Sequence, residues 1–120
     1  MEKKNKILLV EQNPSISIEI VRSLNNSGFE ITNIVPFIEN AVEAIKNQKP
    51  DVIMIDAMIT KQVVDFISNN IKLPLIIISD QFEKEIYNFS EKITILSVIP
   101  KPYNINNIQF PVKIAFNKLN

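Results

Sequence analysis

The chain has no Cys, no His and no Trp, and its only Gly is Gly28. Without Cys there is no disulfide framework and no thiolate nucleophile. Without His there is no imidazole base, no ordinary zinc or copper site, and no residue to carry a phosphohistidine. A single Gly cannot write a phosphate-binding P-loop or a dinucleotide fingerprint. An excess of one charge is missing too, because 13 Lys and Arg balance 13 Asp and Glu. No sustained positive field is therefore available for nucleic acid or for a membrane surface. No apolar stretch approaches the roughly 18 residues of a membrane span. The first run, Ile7-Leu-Leu-Val10, is broken by Glu11, well short of a secretory core of roughly 7–15 residues. These absences lead us to expect a cytoplasmic protein with neither nucleic acid nor membrane as partner. Any chemistry falls to carboxylates, hydroxyls, Lys and a hard cation.

What is present suits one globular domain over residues 1–120, since 46% of the residues are hydrophobic and 22% charged. Five short apolar runs recur, at Lys6–Val10, Phe29–Val35, Asp51–Ile55, Leu73–Ser79 and Ile93–Ile99. Three are continuous rather than alternating, as strands covered on both faces should be. Helical stripes separate the runs. The first is Ile16, Ile20 and Leu24, with Gly28 just beyond as a left-handed terminator. Ile38, Val42 and Ile45 form the second, Val63, Phe66 and Ile67 the third, and Phe82, Ile86 and Phe89 a fourth read as core. The last runs from Ile105 to Leu119 behind Asn104 as N-cap, and Pro111 within it should kink that helix or delay its start.

Strand followed by helix, five times over, predicts an α/β fold. The expected form is a doubly wound five-stranded parallel sheet whose order switches between the first and third strands, with helices on both faces in three layers. Ligands of such sheets bind beyond the carboxyl ends of the strands, at the switch in strand order. The residues there are Glu11 and Gln12 after the first strand, Asp56 after the third, Ser79 and Asp80 after the fourth, and Lys101-Pro102 after the fifth. Glu11 and Asp56 should converge, with Ser79 and Lys101 beside them. Two carboxylates, a hydroxyl and an ammonium suit Mg²⁺ and a phosphoryl group. Asp51 and Asp80 are read as surface charges, Lys3, Lys4 and Lys6 as a solvated face, and Tyr87 and Tyr103 as lying toward a partner.

The segments Lys6-Ile-Leu-Leu-Val-Glu11, Lys49-Pro-Asp-Val-Ile-Met-Ile-Asp56, Leu73-Pro-Leu-Ile-Ile-Ile-Ser79 and Lys101-Pro102-Tyr103 together resemble the response-regulator receiver domain, the CheY-like family. The resemblance spans nearly the whole chain and implies the strand order 2-1-3-4-5. It implies that Asp56 is the phosphoacceptor, Ser79 the switch hydroxyl and Lys101 the partner of the phosphoryl group. It assigns Mg²⁺ to Glu11, Gln12, Asp56 and the backbone carbonyl of Met58, and it implies a cis Lys101–Pro102 bond. The expected partners are a histidine kinase or phosphotransfer protein upstream and a protein target downstream, with a homodimer left open. A receiver of this kind is not an enzyme; at most it assists its own phosphorylation and dephosphorylation.

The sequence also departs from that pattern. Receivers usually carry a second acid after the first strand, and Gln12 stands there, so Mg²⁺ should bind more weakly. Val98 replaces the usual aromatic switch. The segment after Asp56 is shorter than usual, with Thr60-Lys61-Gln62 in place of the customary turn. The leading reading is a stand-alone receiver in phosphorelay (two-component) signalling, with output by protein–protein contact. The alternative is a degenerate receiver that acts as a phosphorylation-independent interaction module. A small phosphohydrolase using Asp56 as nucleophile is a third, disfavoured because no second acid follows Asp56 closely.

Overall fold

A computed structural model describes residues 5–119. Lys3 and Lys4, read above as part of a solvated face, lie outside the described residues. The chain runs β1 (Asn5–Val10), α1 (Pro14–Asn25), β2 (Phe29–Val35), α2 (Ala41–Gln48), β3 (Val52–Asp56), α3 (Lys61–Asn70), β4 (Leu75–Ser79), α4 (Glu83–Tyr87), β5 (Ile95–Pro100) and α5 (Gln109–Leu119). Short 3₁₀ turns at Ile38–Asn40 and Ile105–Asn107 lead into α2 and α5. All five strands are parallel, in the order β2-β1-β3-β4-β5 expected from the sequence.

Alternation within the strands divides the core between two faces. Leu8, Val10, Ile53, Ile55, Leu75 and Ile77 point to one face, where they meet Ala41 and Ala44 of α2, Val64 and Ile67 of α3, and Ile86 of α4. Ile7, Leu9, Val52, Met54, Ile76 and Ile78 point to the other, against Ile20 and Leu24 of α1 and Val112, Ala115 and Phe116 of α5. Both sides of the central strands are thus covered, which is why their runs carry no polar alternation. Among the described residues, no helix is long and apolar enough to cross a membrane.

Local signals account for the helix ends. Asn13 caps α1 by accepting from the Ser15 N–H at 2.9 Å, with Pro14 next, where a missing N–H costs nothing. Gly28 has φ +89°, a left-handed conformation favoured by Gly, in the turn that returns the chain to β2. Asn104 accepts from the Asn106 N–H at 2.9 Å, but it caps the 3₁₀ turn, so α5 proper starts at Gln109. Pro111 falls in the first turn of α5, where no intrahelical partner is required of its nitrogen. The proline therefore delays the helix rather than bending it.

Several expectations need correction. In α2 the deepest residues are Ala41 and Ala44, with Val42 and Ile45 only partly buried. In α3 it is Val64 and Ile67 that are buried, with Val63 and Phe66 at the margin. Phe82 is not core: α4 is only five residues long, and Phe82, at its N-cap, is 77% exposed. Asp51 is more than a surface charge. Its Oδ2 accepts from the Lys6 N–H at 2.9 Å and so satisfies a donor at the start of β1, leaving Lys6 itself partly buried.

Candidate functional site

Strand register brings the chemistry together. Val10 lies beside Ile55, so the next residues, Glu11 and Asp56, are neighbours across the β1/β3 switch point. Ser79 lies beside Pro100, and the Lys101 N–H donates to the Ser79 carbonyl at 2.9 Å, which sets Lys101 at the same edge. Pro100, without an N–H, is tolerated at the end of an edge strand. The Lys101–Pro102 bond is cis, as the resemblance implied.

A cavity of about 430 Å³ opens at this edge, lined by Glu11, Gln12, Asp56, Met58, Ser79, Asp80 and Lys101 among others. The Lys101 ammonium pairs with Asp56 Oδ1 at 2.5 Å; the Asp56 side chain is 6% exposed and that of Lys101 37%. The carboxylate is therefore buried and the ammonium reaches it from the rim. Glu11 is buried, and its Oε2 accepts from the Asn13 N–H at 3.0 Å. Two buried oxygens, Glu11 Oε1 and Asp56 Oδ2, have no hydrogen-bond partner. Both belong to ionisable acids, and while both are ionised each can only accept, so neither satisfies the other.

The electrostatics follow from this crowding. Burial, and then the Asp56 carboxylate beside it, pushes Glu11 up to about 7, against lowering by the Asn13 N–H and by Lys101. A proton on Glu11 makes it a donor to Asp56 and relieves the repulsion between the two acids. Burial works against the charge on Lys101, yet the Asp56 and Glu11 carboxylates hold its ammonium above the usual lysine range. Tyr103 is half-buried, and burial together with the same two acids raises its phenol, which stays neutral.

A hard cation fits this donor set in kind. One or two carboxylates with backbone carbonyl and water oxygens suffice for Mg²⁺, and the two orphaned oxygens are acids of one cavity. Charge is the weak point. Gln12 is exposed and brings no charge, and among the described residues no three acidic, His or Cys side chains converge as a metal cluster.

The sequence-derived set is thus brought together: Glu11, Asp56, Ser79 and Lys101 share one cavity, with Gln12 and Met58 on its wall. Asp80, read as a surface charge, is exposed and also lines it. Val98 is partly buried and packs against the α2/α3/α4 side of the core. Sequence reasoning missed Gln81. Its side-chain oxygen accepts from the Ile59 N–H at 2.7 Å and from the Ser79 hydroxyl at 3.1 Å. Its side-chain nitrogen donates to the Ile59 carbonyl at 3.1 Å, and its backbone N–H donates to the Ser79 hydroxyl at 2.9 Å. A Gln two residues after a strand carries no spacing signal, because its main partner is the backbone of a residue 22 positions away.

No protein-family profile matches the chain, and no curated protein matches it either. Solved structures do. A response regulator from Thermotoga maritima superposes with a TM-score of 0.79 at 14% identity, covering 96% of this chain and 99% of that one. The beryllofluoride-activated NtrC receiver domain gives 0.76 at 18% identity, over 99% of each chain. The signal receiver domain of a modulated diguanylate cyclase from Desulfovibrio desulfuricans gives 0.74 at 17%, over 97% of this chain and 96% of that one. The sheet order, the helix placement and these superpositions agree: the chain has the CheY-like fold of the response-regulator receiver domain.

Proposed function

We propose that this chain is a receiver that accepts a phosphoryl group on Asp56 in phosphorelay signalling. The donor is a histidine kinase or phosphotransfer protein, and the output is contact with a downstream protein. One observation carries the reading above the others: Asp56, buried at the switch point, has one oxygen held by the Lys101 ammonium and the other without a partner. A carboxylate in that state is oriented and still has a lone pair to give.

In the proposed transfer an Asp56 oxygen attacks phosphorus, and the bond from phosphorus to the donor nitrogen breaks. The electron pair leaves with the donor imidazole, which carries a proton from solvent on its other ring nitrogen and so departs neutral. Lys101, already placed against Asp56, offsets charge on the phosphoryl oxygens. Ser79, at the next strand end, would donate its hydroxyl proton to a phosphoryl oxygen in the modified state. Glu11, Asp56, the Met58 carbonyl and the Gln12 amide would hold Mg²⁺, which when bound supplies further neutralisation of phosphate charge. The chain turns over no second substrate in this account. Phosphorylation shifts a population between two states of the post-strand loops.

The test is incubation with acetyl phosphate and Mg²⁺, followed by intact mass. A phosphoryl gain that Asp56→Ala abolishes supports the reading, and no gain at millimolar Mg²⁺ removes it. One observation favours a second reading, that of an interaction module indifferent to phosphorylation: only two carboxylates serve the cation, because Gln12 stands where a third would. That reading expects partner binding unaffected by beryllofluoride, and a large change in affinity on adding it would discard the idea.

A further inference from the structure

Gln81 joins the loop after β4 to the loop after β3. Its side-chain amide matches both backbone groups of a single residue, taking the Ile59 N–H at 2.7 Å and giving to the Ile59 carbonyl at 3.1 Å. Ile59 is 2% exposed, so water is a poor substitute for either bond. The amide cannot be turned over. Exchanging its oxygen and nitrogen would set donor against donor and acceptor against acceptor at Ile59. With the oxygen fixed, its remaining lone pair meets the Ser79 hydroxyl at 3.1 Å, and the Gln81 N–H donates to the same hydroxyl at 2.9 Å.

A serine hydroxyl has one proton to donate. Here Ser79 is buried and that proton is committed to Gln81, not to the Asp56 side of the cavity. We propose that Gln81 is a latch: it holds the Ser79 hydroxyl in the resting state and must lose it before that hydroxyl can bond a phosphoryl group on Asp56. The latch rests on the phosphoacceptor reading of Asp56, and it adds to that reading a residue that sets the resting population. The anchor is Ile59, which keeps the Gln81 oxygen where Ser79 finds it. Gln81 is a positioning residue, since it acts through Ser79 and not on phosphorus.

The experiment titrates beryllofluoride into the full chain at saturating Mg²⁺, for wild type, Gln81→Met, Ser79→Ala and the double variant. Met keeps the length of Gln and lacks its polar atoms. Releasing one neutral hydrogen bond from the resting state should tighten binding in Gln81→Met by about fivefold. The gain should vanish when Ser79 is Ala, because nothing is then left to release. Unchanged or weaker binding by Gln81→Met overturns the latch, as does a gain that persists without Ser79. If Gln81→Met does not fold, wild type still decides by nuclear magnetic resonance. The Gln81 backbone amide, on losing Ser79 as acceptor, should shift on adding beryllofluoride in wild type and stay in place in Ser79→Ala. An amide that does not move in wild type overturns the proposal. A wild type that never binds beryllofluoride removes the phosphoacceptor reading and the latch together, whereas binding without the Gln81 effect removes the latch alone.

Discussion

Glu11 offers a quantitative handle on the pocket that needs no phosphate. Its carboxyl is raised from 4.5 to about 7, by burial first and then by Asp56. A carboxyl whose folded value lies above its unfolded one binds its proton more tightly in the native state. Its contribution to stability is full below about pH 4.5 and is lost as pH rises through about 7. One unit of difference corresponds to about 1.4 kcal/mol, so wild type should lose at most about 2–3 kcal/mol through Glu11 between about pH 5 and pH 8. Glu11→Gln removes the titration but keeps an oxygen for the Asn13 N–H and adds an amide donor for Asp56. Urea unfolding of both proteins in chelator, at several pH values, isolates the effect. The wild-type curve should fall below that of the variant progressively toward alkaline pH, with the two converging near pH 5. Parallel curves across the range would refute the argument, and with it the claim that the two acids face each other in a buried site.

Other outcomes follow from the same geometry. Asp56→Asn removes the anion beside Glu11, so the Glu11 midpoint, followed by carbon-detected resonance, should move down toward its ordinary value while burial keeps it from arriving; an unmoved midpoint would separate the two residues. Gln12→Asp should tighten Mg²⁺ by about thirtyfold in calorimetry, because a unit charge about 4 Å from a divalent ion is worth about 2 kcal/mol even at the dielectric of water. Equal affinity would mean that position 12 does not face the cation. Ile76→Ala, in the fully buried middle of β4, should cost about 2–5 kcal/mol in chemical unfolding, whereas Phe82→Ala, at 77% exposure, should cost under about 0.5 kcal/mol. Comparable costs would restore Phe82 to the core and contradict its placement here.

The strands were legible because β1, β3 and β4 are covered on both faces and leave no polar interruption to misread. Parallel connection then forces their ends to one edge, so Glu11, Asp56, Ser79 and Lys101 could be assembled without coordinates. Helix faces were less legible where small residues do the packing: Ala41 and Ala44 let α2 approach the sheet closely, while the larger Val42 and Ile45 drew the eye to the wrong stripe. Phe82 misled because its spacing to Ile86 is helical, yet the helix begins one residue later and the ring points outward into solvent. Asp51 and Gln81 were missed for a shared reason. Each satisfies backbone groups of a distant residue, Lys6 for the first and Ile59 for the second, and a backbone partner leaves no trace in residue type.

Reductive trapping tests the phosphoryl claim at the level of a single atom. Borohydride reduces an aspartyl phosphate to homoserine with release of phosphate, and leaves a free carboxylate untouched. Treatment with acetyl phosphate and Mg²⁺, then borohydride and peptide mapping, should place homoserine at position 56 and at no other acid. An intact Asp56, or reduction at Glu11 or Asp80 instead, would contradict the account.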